Sequence, residues 1–94
     1  MPAFAETVTI DSAVAVDVVC PTTYDDQVVV INLGEDAVWI ALVVDDTATV
    51  GGDNCQVCLP GLPVPLMWRP QNQPYSMLAD TNDTDINIVN RGGR

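Results

Sequence analysis

The stretch Val28–Leu42, VVVINLGEDAVWIAL, sets the reading of the whole chain. Val28–Ile31 is a β-branched run, Leu33-Gly34-Glu35-Asp36 has turn chemistry, and Ala37–Leu42 resumes an apolar, strand-favouring pattern. A connection of about four residues cannot hold the crossover of a parallel pair, so the spacing predicts an antiparallel β-hairpin. On the return strand Val38, Ile40 and Leu42 share one face, and Ala37, Trp39 and Ala41 share the other. The first set is expected in the core. The partner strand is apolar on both faces. It is expected to be covered on both sides, at the centre of a sandwich or by another subunit.

Working outward, Glu6–Ile10 alternates with Val8 and Ile10 on one face, and Ser12–Val19 alternates with Val14, Val16 and Val18 inward. Cys20–Asp26 reads as a loop. Downstream, Asp45-Asp46 reads as a turn, Thr47–Val50 as a short strand, Gly51–Asn54 as a loop, Cys55–Leu59 as a strand and Pro60-Gly61 as a turn. Leu62–Trp68 is apolar but carries Pro63 and Pro65, which confines it to a sheet edge or an extended crossing loop. Arg69–Pro74 is a polar loop, Tyr75–Ala79 a strand, Asp80–Asp85 a turn cluster and Ile86–Val89 the last strand. No segment has the period of a helix. The expectation is an all-β fold: a compact antiparallel sandwich or barrel, jelly-roll-like, of about eight short strands. Residues 1–94 form a single β domain with short N-terminal and C-terminal (90–94) arms.

The bulk composition narrows the function. The 94 residues are 48% hydrophobic and 17% charged, which suits one small folded core rather than a disordered chain. No apolar run approaches the ~20 residues of a membrane span. The N-terminal segment lacks the basic and apolar regions of a signal peptide, so the chain is expected to be made in a cytoplasm. Thirteen acidic residues face three arginines (Arg69, Arg91, Arg94) and no lysine, for a net charge of −10. That balance argues against binding nucleic acid or anionic lipid and permits docking on a basic surface. Histidine is absent. With it go the usual general base, the usual metal ligand and histidine-activated nucleophiles, and without lysine there is no Schiff base. The chain is therefore read as non-enzymatic, with no cofactor.

Each local motif has a plain reading beside the functional one. Cys55-Gln56-Val57-Cys58 is a C-x-x-C without a following helix. With Cys20 the only other thiol, one chain has no full zinc set without carboxylates, and cysteines three apart on a strand face opposite ways. Reduced thiols are the simplest reading. An intersubunit metal or disulfide, or a link within a turn, stays open. Asp80, Asn82, Asp83 and Asp85 form a carboxylate-rich turn that lacks the EF-hand order; it reads as a polar hairpin turn, with loose Ca²⁺ binding as the alternative. Trp39, flanked by Ala37 and Ala41, is either an interface anchor or covered by a second layer. Trp39, Trp68, Arg69, Arg91 and Arg94 are the partner-binding candidates.

The order of features from Val28 to Gly93 resembles the small all-β virion proteins of tailed bacteriophages, the capsid decoration (cement) and related minor head proteins. A Val-rich strand ends in Asn32-Leu33-Gly34 and is followed by an aromatic-bearing strand, Ala37–Leu42. A Leu59-Pro60-Gly61 turn leads into an apolar strand. Tyr75–Ala79 follows, and a closing strand ends in Arg91-Gly92-Gly93. The acidic, Cys-containing 43–58 region departs from the pattern, where similar proteins have a shorter neutral loop. The resemblance implies a structural protein on the capsid surface of the virion. Its partners would be the major capsid protein and copies of itself, as a trimer or other homo-oligomer. The arginines would pair with acidic capsid residues and the acidic loops with basic ones. Two alternatives stand beside it. One is another virion component, at the head–tail joint, in the tail or at a head-fibre base. The other is a stand-alone ligand-binding sandwich using Tyr24, Trp39, Trp68 and Tyr75.

Overall fold

The computed structural model describes residues 4–20, 28–67, 69–70 and 72–90. Eight strands run in chain order: β1 (Phe4–Ile10), β2 (Val16–Val18), β3 (Val28–Asn32), β4 (Val38–Ala41), β5 (Cys55–Cys58), β6 (Val64–Leu66), β7 (Tyr75–Ala79) and β8 (Thr84–Asn90). They form two four-stranded antiparallel sheets, one in the order β1-β8-β3-β6 and the other β2-β7-β4-β5. Below these are sheet A and sheet B.

The strand order has a simple origin. Phe4 pairs with Asn90, Val16 with Met77, Val28 with Leu66 and Val38 with Cys58, so all four pairings are centred between residues 46 and 48. The chain is one long hairpin folded at its middle and then rolled, with successive pairs placed in alternate sheets. That is the topology of an eight-stranded jelly roll, so the all-β, jelly-roll-like expectation holds.

The core lies between the sheets. Sheet A contributes Ile10, Val28, Val30, Val64, Ile86 and Ile88; sheet B contributes Val18, Val38, Ile40, Cys58, Tyr75, Met77 and Ala79. The period of two that places them is the alternation seen in the sequence. β3 is central in sheet A, between β8 and β6, and Val28, Val29 and Val30 are all buried, as its two-sided apolar pattern requires. β6, with Pro65, is an edge strand, where a missing N–H costs least.

The hairpin expected at Val28–Leu42 does not form. β3 and β4 lie in different sheets, and residues 33–37 step across the end of the sandwich. Leu33 N–H still donates to Asp85 O of β8 (2.9 Å), while Ala37 O already accepts from Asp80 N–H beyond β7 (2.9 Å). Asn32 holds the corner. Its side chain is buried, its Nδ2 donates to Asp36 O (2.6 Å) and Cys58 O (3.0 Å), and its Oδ1 accepts from Gly34 N–H (2.9 Å). Gly34 is required there because a Cβ would stand 2.7 Å from Thr84 Cγ2. A four-residue turn signal is common to a hairpin and to this inter-sheet arch. The partners β3 takes instead, β6 and β8, come later in the chain.

Four further expectations are corrected. β4 ends at Ala41, and Leu42, whose N–H still donates to Asn54 O (2.9 Å) in the register of the β4–β5 ladder, is 53% exposed rather than in the core. Val14 is 66% exposed: Asp11 Oδ1 accepts from Ala13 N–H (2.6 Å) and Val14 N–H (3.3 Å), a side-chain-capped turn that delays β2 to Val16. Thr47–Val50 is not a strand. It belongs to an excursion over the outer face of sheet B, where Ala48 is buried and its N–H donates to Ser76 Oγ (2.9 Å). Asn90, expected in a terminal arm, is a buried residue of β8 paired with both Phe4 and Val28.

Candidate interaction surface

Register fixes which residues share the outer face of sheet A. One row runs Ala5, Val89, Val29, Pro65, and the next runs Thr7, Asn87, Ile31. Leu33 continues the β3 side of the face and is 55% exposed. The β3–β6 half of the face is therefore aliphatic and proline, without a charge. The β1–β8 half mixes Ala5 and Val89 with Thr7, Thr9 and Asn87, and Asp85 at one end accepts from Thr9 Oγ1 (2.6 Å). Outward-facing positions of a solvated sheet are ordinarily polar, so a run of Val29, Ile31 and Leu33 at the middle of sheet A stands out.

The outer face of sheet B is different. Residues 43–54 lie over the row of Ala41 and Ser76, both buried. The excursion is shaped by Asp45 in a left-handed conformation (φ 73°), by Asn54 Nδ2 donating to Asp46 Oδ2 (3.1 Å), and by Gly52 N–H donating to Thr49 O (3.1 Å). Trp39 falls in the neighbouring row between Leu78 and Val57 and is half-buried. Its indole Nε1 is buried without a hydrogen-bond partner among the described residues, a state that costs about 1–3 kcal/mol. Trp39 thus sits against its own sheet with part of its surface still exposed.

Arg69, expected at a partner interface, is engaged within the chain. Its Nη2 donates to Leu42 O (2.8 Å), its Nη1 to Pro74 O (3.3 Å), and its guanidinium stacks on the Tyr75 ring at 4.3 Å. It ties the end of β4 to the start of β7. Tyr75 is buried, so it does not supply an exposed aromatic for a ligand groove. Burial pushes its phenol pKa up, Cys20 beside it pushes the same way, and Arg69 opposes them. Beside this clamp an open groove of about 500 Å³ is lined mainly by Leu42, Val44, Pro65, Leu66 and Met67. Trp68, Arg91, Arg94 and Tyr24 lie outside the described residues.

The carboxylates at the other end of the sandwich are structural acceptors. Asp83 Oδ1 takes Ser12 N–H (3.0 Å) and Ser12 Oγ (3.2 Å), and Asp36 Oδ2 takes both Asn82 N–H (3.2 Å) and Nδ2 (2.9 Å). Three inter-sheet connections, 11–15, 33–37 and 80–83, are sewn together by these bonds. The structure therefore does not gather Asp80, Asn82, Asp83 and Asp85 around one point. No group of three or more metal-binding side chains stands together among the described residues. The three thiols are free. Cys58 is in the core, where burial raises its pKa; Cys55 is half-buried; Cys20 is buried and accepts from Arg69 N–H (3.4 Å). Among the described residues no helix is long and apolar enough to cross a membrane. Neither a family model, a curated protein nor a solved structure matches the chain.

Proposed function

We propose that the chain is a structural virion protein that docks on the outside of a tailed-phage head and reinforces the lattice of the major capsid protein. The observation that carries this reading is the uncharged β3–β6 half of the outer face of sheet A on a protein of net charge −10. The net negative charge orients the molecule towards a basic surface. The apolar strip of Ile31, Leu33 and Pro65, flanking the buried Val29, is then the part that gains by losing water.

Size supports a lattice partner. Four strands about 4.8 Å apart and up to seven residues long give a face of at most about 450 Å². A stable pairwise complex takes about 800 Å² from each partner. One such face binds weakly alone and firmly where several contacts act together, as on a capsid seam. Jelly rolls serve as capsid domains and also as lectins, so the fold alone does not choose between these roles. The burial of Tyr75 removes one of the four aromatics a sugar-binding groove would use.

The test is binding to expanded heads assembled without the chain, with bound copies counted by sedimentation and densitometry. Saturation at hundreds of copies per head is expected, and Ile31→Glu/Leu33→Glu should abolish it while leaving the melting transition in place. Absence of binding by the wild type, or full binding by the double variant, overturns the reading. A closed ring with no affinity for heads would move the protein to the head–tail axis.

A further inference from the structure

Of the four sheet edges, three are blunted. β6 carries Pro65, with Pro63 just before it, and β2 and β5 are three and four residues long. β1 is the exception. It is seven residues long, FAETVTI, has no proline or lysine, and holds unbroken register with β8 from Phe4 to Ile10. Among the described residues nothing pairs with its other side. Ala5, Glu6, Thr7 and Thr9 are exposed. A long, regular, open edge is a template for another strand.

We propose that the occupant of this edge is β1 of a second copy, paired antiparallel about a two-fold axis through Thr7. The sequence is self-complementary in that register. Thr7 stands opposite the partner's Thr7, Ala5 opposite the partner's Thr9, Glu6 opposite the partner's Val8 and Phe4 opposite the partner's Ile10. All seven residues of the strand are used. Threonine pairs with threonine, and no carboxylate faces a carboxylate. The two Glu6 side chains lie on a diagonal about 7–8 Å apart, close to one screening length at physiological salt. A register centred on Glu6 would place them opposite each other, and one centred on Val8 would shorten the overlap to five residues, since β1 stops at Ile10.

The pairing joins two copies of sheet A into one eight-stranded sheet, with the strip proposed above as the docking face present once on each side of the central β8-β1-β1-β8 strands. Of the trimer or other homo-oligomer that the resemblance implies, this pairing makes a two-fold dimer. The dimer is a property of the isolated chain, so it stands or falls apart from head binding.

The experiment is a cysteine scan of β1 in the full-length chain, read by non-reducing electrophoresis under oxidised glutathione, with light scattering of the wild type up to about 1 mM. Across the two-fold the Thr7 Cα atoms would lie about 4.5–5.5 Å apart, inside the range a disulfide spans. Thr7→Cys should therefore cross-link to dimer at least tenfold faster than Thr9→Cys, which stands opposite Ala5. A mixture of Ala5→Cys and Thr9→Cys should cross-link as a heterodimer. The wild-type mass should rise towards two copies with concentration and with added salt, as repulsion between the −10 charges is screened. All three substitutions are at exposed positions, and unchanged melting confirms the fold. Equal cross-linking at positions 7 and 9, or a monomer at every concentration and salt, overturns the proposal.

Discussion

Replacing Asn32 by alanine tests the inter-sheet corner directly. Asn32 makes three hydrogen bonds from a buried side chain: two donated, to Asp36 O and Cys58 O, and one accepted from Gly34 N–H. Asn32→Ala leaves Cys58 O without this donor in a buried position, a loss of about 1–3 kcal/mol. The two part-buried bonds add about 0.5–1.5 kcal/mol each. An overall loss of about 3–4 kcal/mol is expected. A domain of this length has only about 5–14 kcal/mol to lose. In urea, with a slope near 1 kcal/mol per molar, the midpoint should fall by about 3 M. Asn32→Asp should be worse than alanine at neutral pH, because a carboxylate would face two carbonyl oxygens. It should recover as the pH falls. Lacking donors, the folded state would hold its proton more tightly than the unfolded chain, so stability is present below the unfolded value of about 3.9 and lost as pH rises through the higher folded value. A loss under about 1 kcal/mol for Asn32→Ala, or an aspartate variant indifferent to pH, would refute the assignment of the corner to this side chain.

Three other outcomes are expected. Gly34→Ala should cost about 1–3 kcal/mol by overpacking against Thr84 Cγ2, and Thr84→Ser in that background should recover part of it, read as coupling in a double-mutant melting cycle. Arg69→Met should cost about 1–2 kcal/mol by removing two donors and the stack on Tyr75; Arg69→Lys should restore less than half, because an ammonium cannot reproduce the guanidinium fork. Alkali should unfold the protein early: Cys58 and Tyr75 keep their protons in the folded state above the values of 9.0 and 10.0 that an unperturbed thiol and phenol show. The unfolded chain therefore binds fewer protons, and stability should fall above about pH 9 by up to about 1.4 kcal/mol per pH unit for each group. Tyr75→Phe should remove the part of that slope that begins near pH 10, as followed by circular dichroism.

Strands whose alternation or composition was unambiguous were legible from the sequence: β7 at Tyr75–Ala79, the buried β3, the inward Val38 and Ile40, and β6 held to an edge by proline. What was not legible was partnership. Val28–Leu42 carries the local chemistry of a hairpin, yet the strand that β3 needs on each side is supplied from residues 64–66 and 84–90. No local pattern specifies a partner that far away. Val14 fits the alternation and is still exposed, because Asp11 offers its backbone N–H a nearer acceptor; Leu42 keeps the β4–β5 register but lies exposed past the end of β4. The candidate surface was missed for a related reason. Trp39 and Arg69 stand out in the sequence as large or charged residues, but Trp39 is half-buried on sheet B and Arg69 is engaged within the chain. Val29 and Ile31 belong to a strand that reads as covered on both sides and Leu33 to a turn, and only the register of β3 and β8 gives the three a common outward face. The signal was present in the two-sided apolarity of that strand.

The rolled-hairpin topology also bears on why β1 is the strand left open. The connection between β4 and β5 spans residues 42–54, the shortest closure between paired strands, and each pairing outward from it adds strands already brought near by the one before. On this order β3–β6 and β2–β7 follow, and β1–β8 closes last because its residues are farthest apart along the chain. β1 pairs with β8 alone among the described strands, with Ile10 buried and Val8 partly buried. A strand held mainly by one ladder gains most from a second. Pairing its free edge with another copy would stabilise β1 in the molecule as well as the dimer. Hydrogen exchange of the β1 amides should therefore slow on raising the protein concentration, while the amides of β4 and β7 stay unchanged. Exchange in β1 that is independent of concentration would separate the edge from any such role.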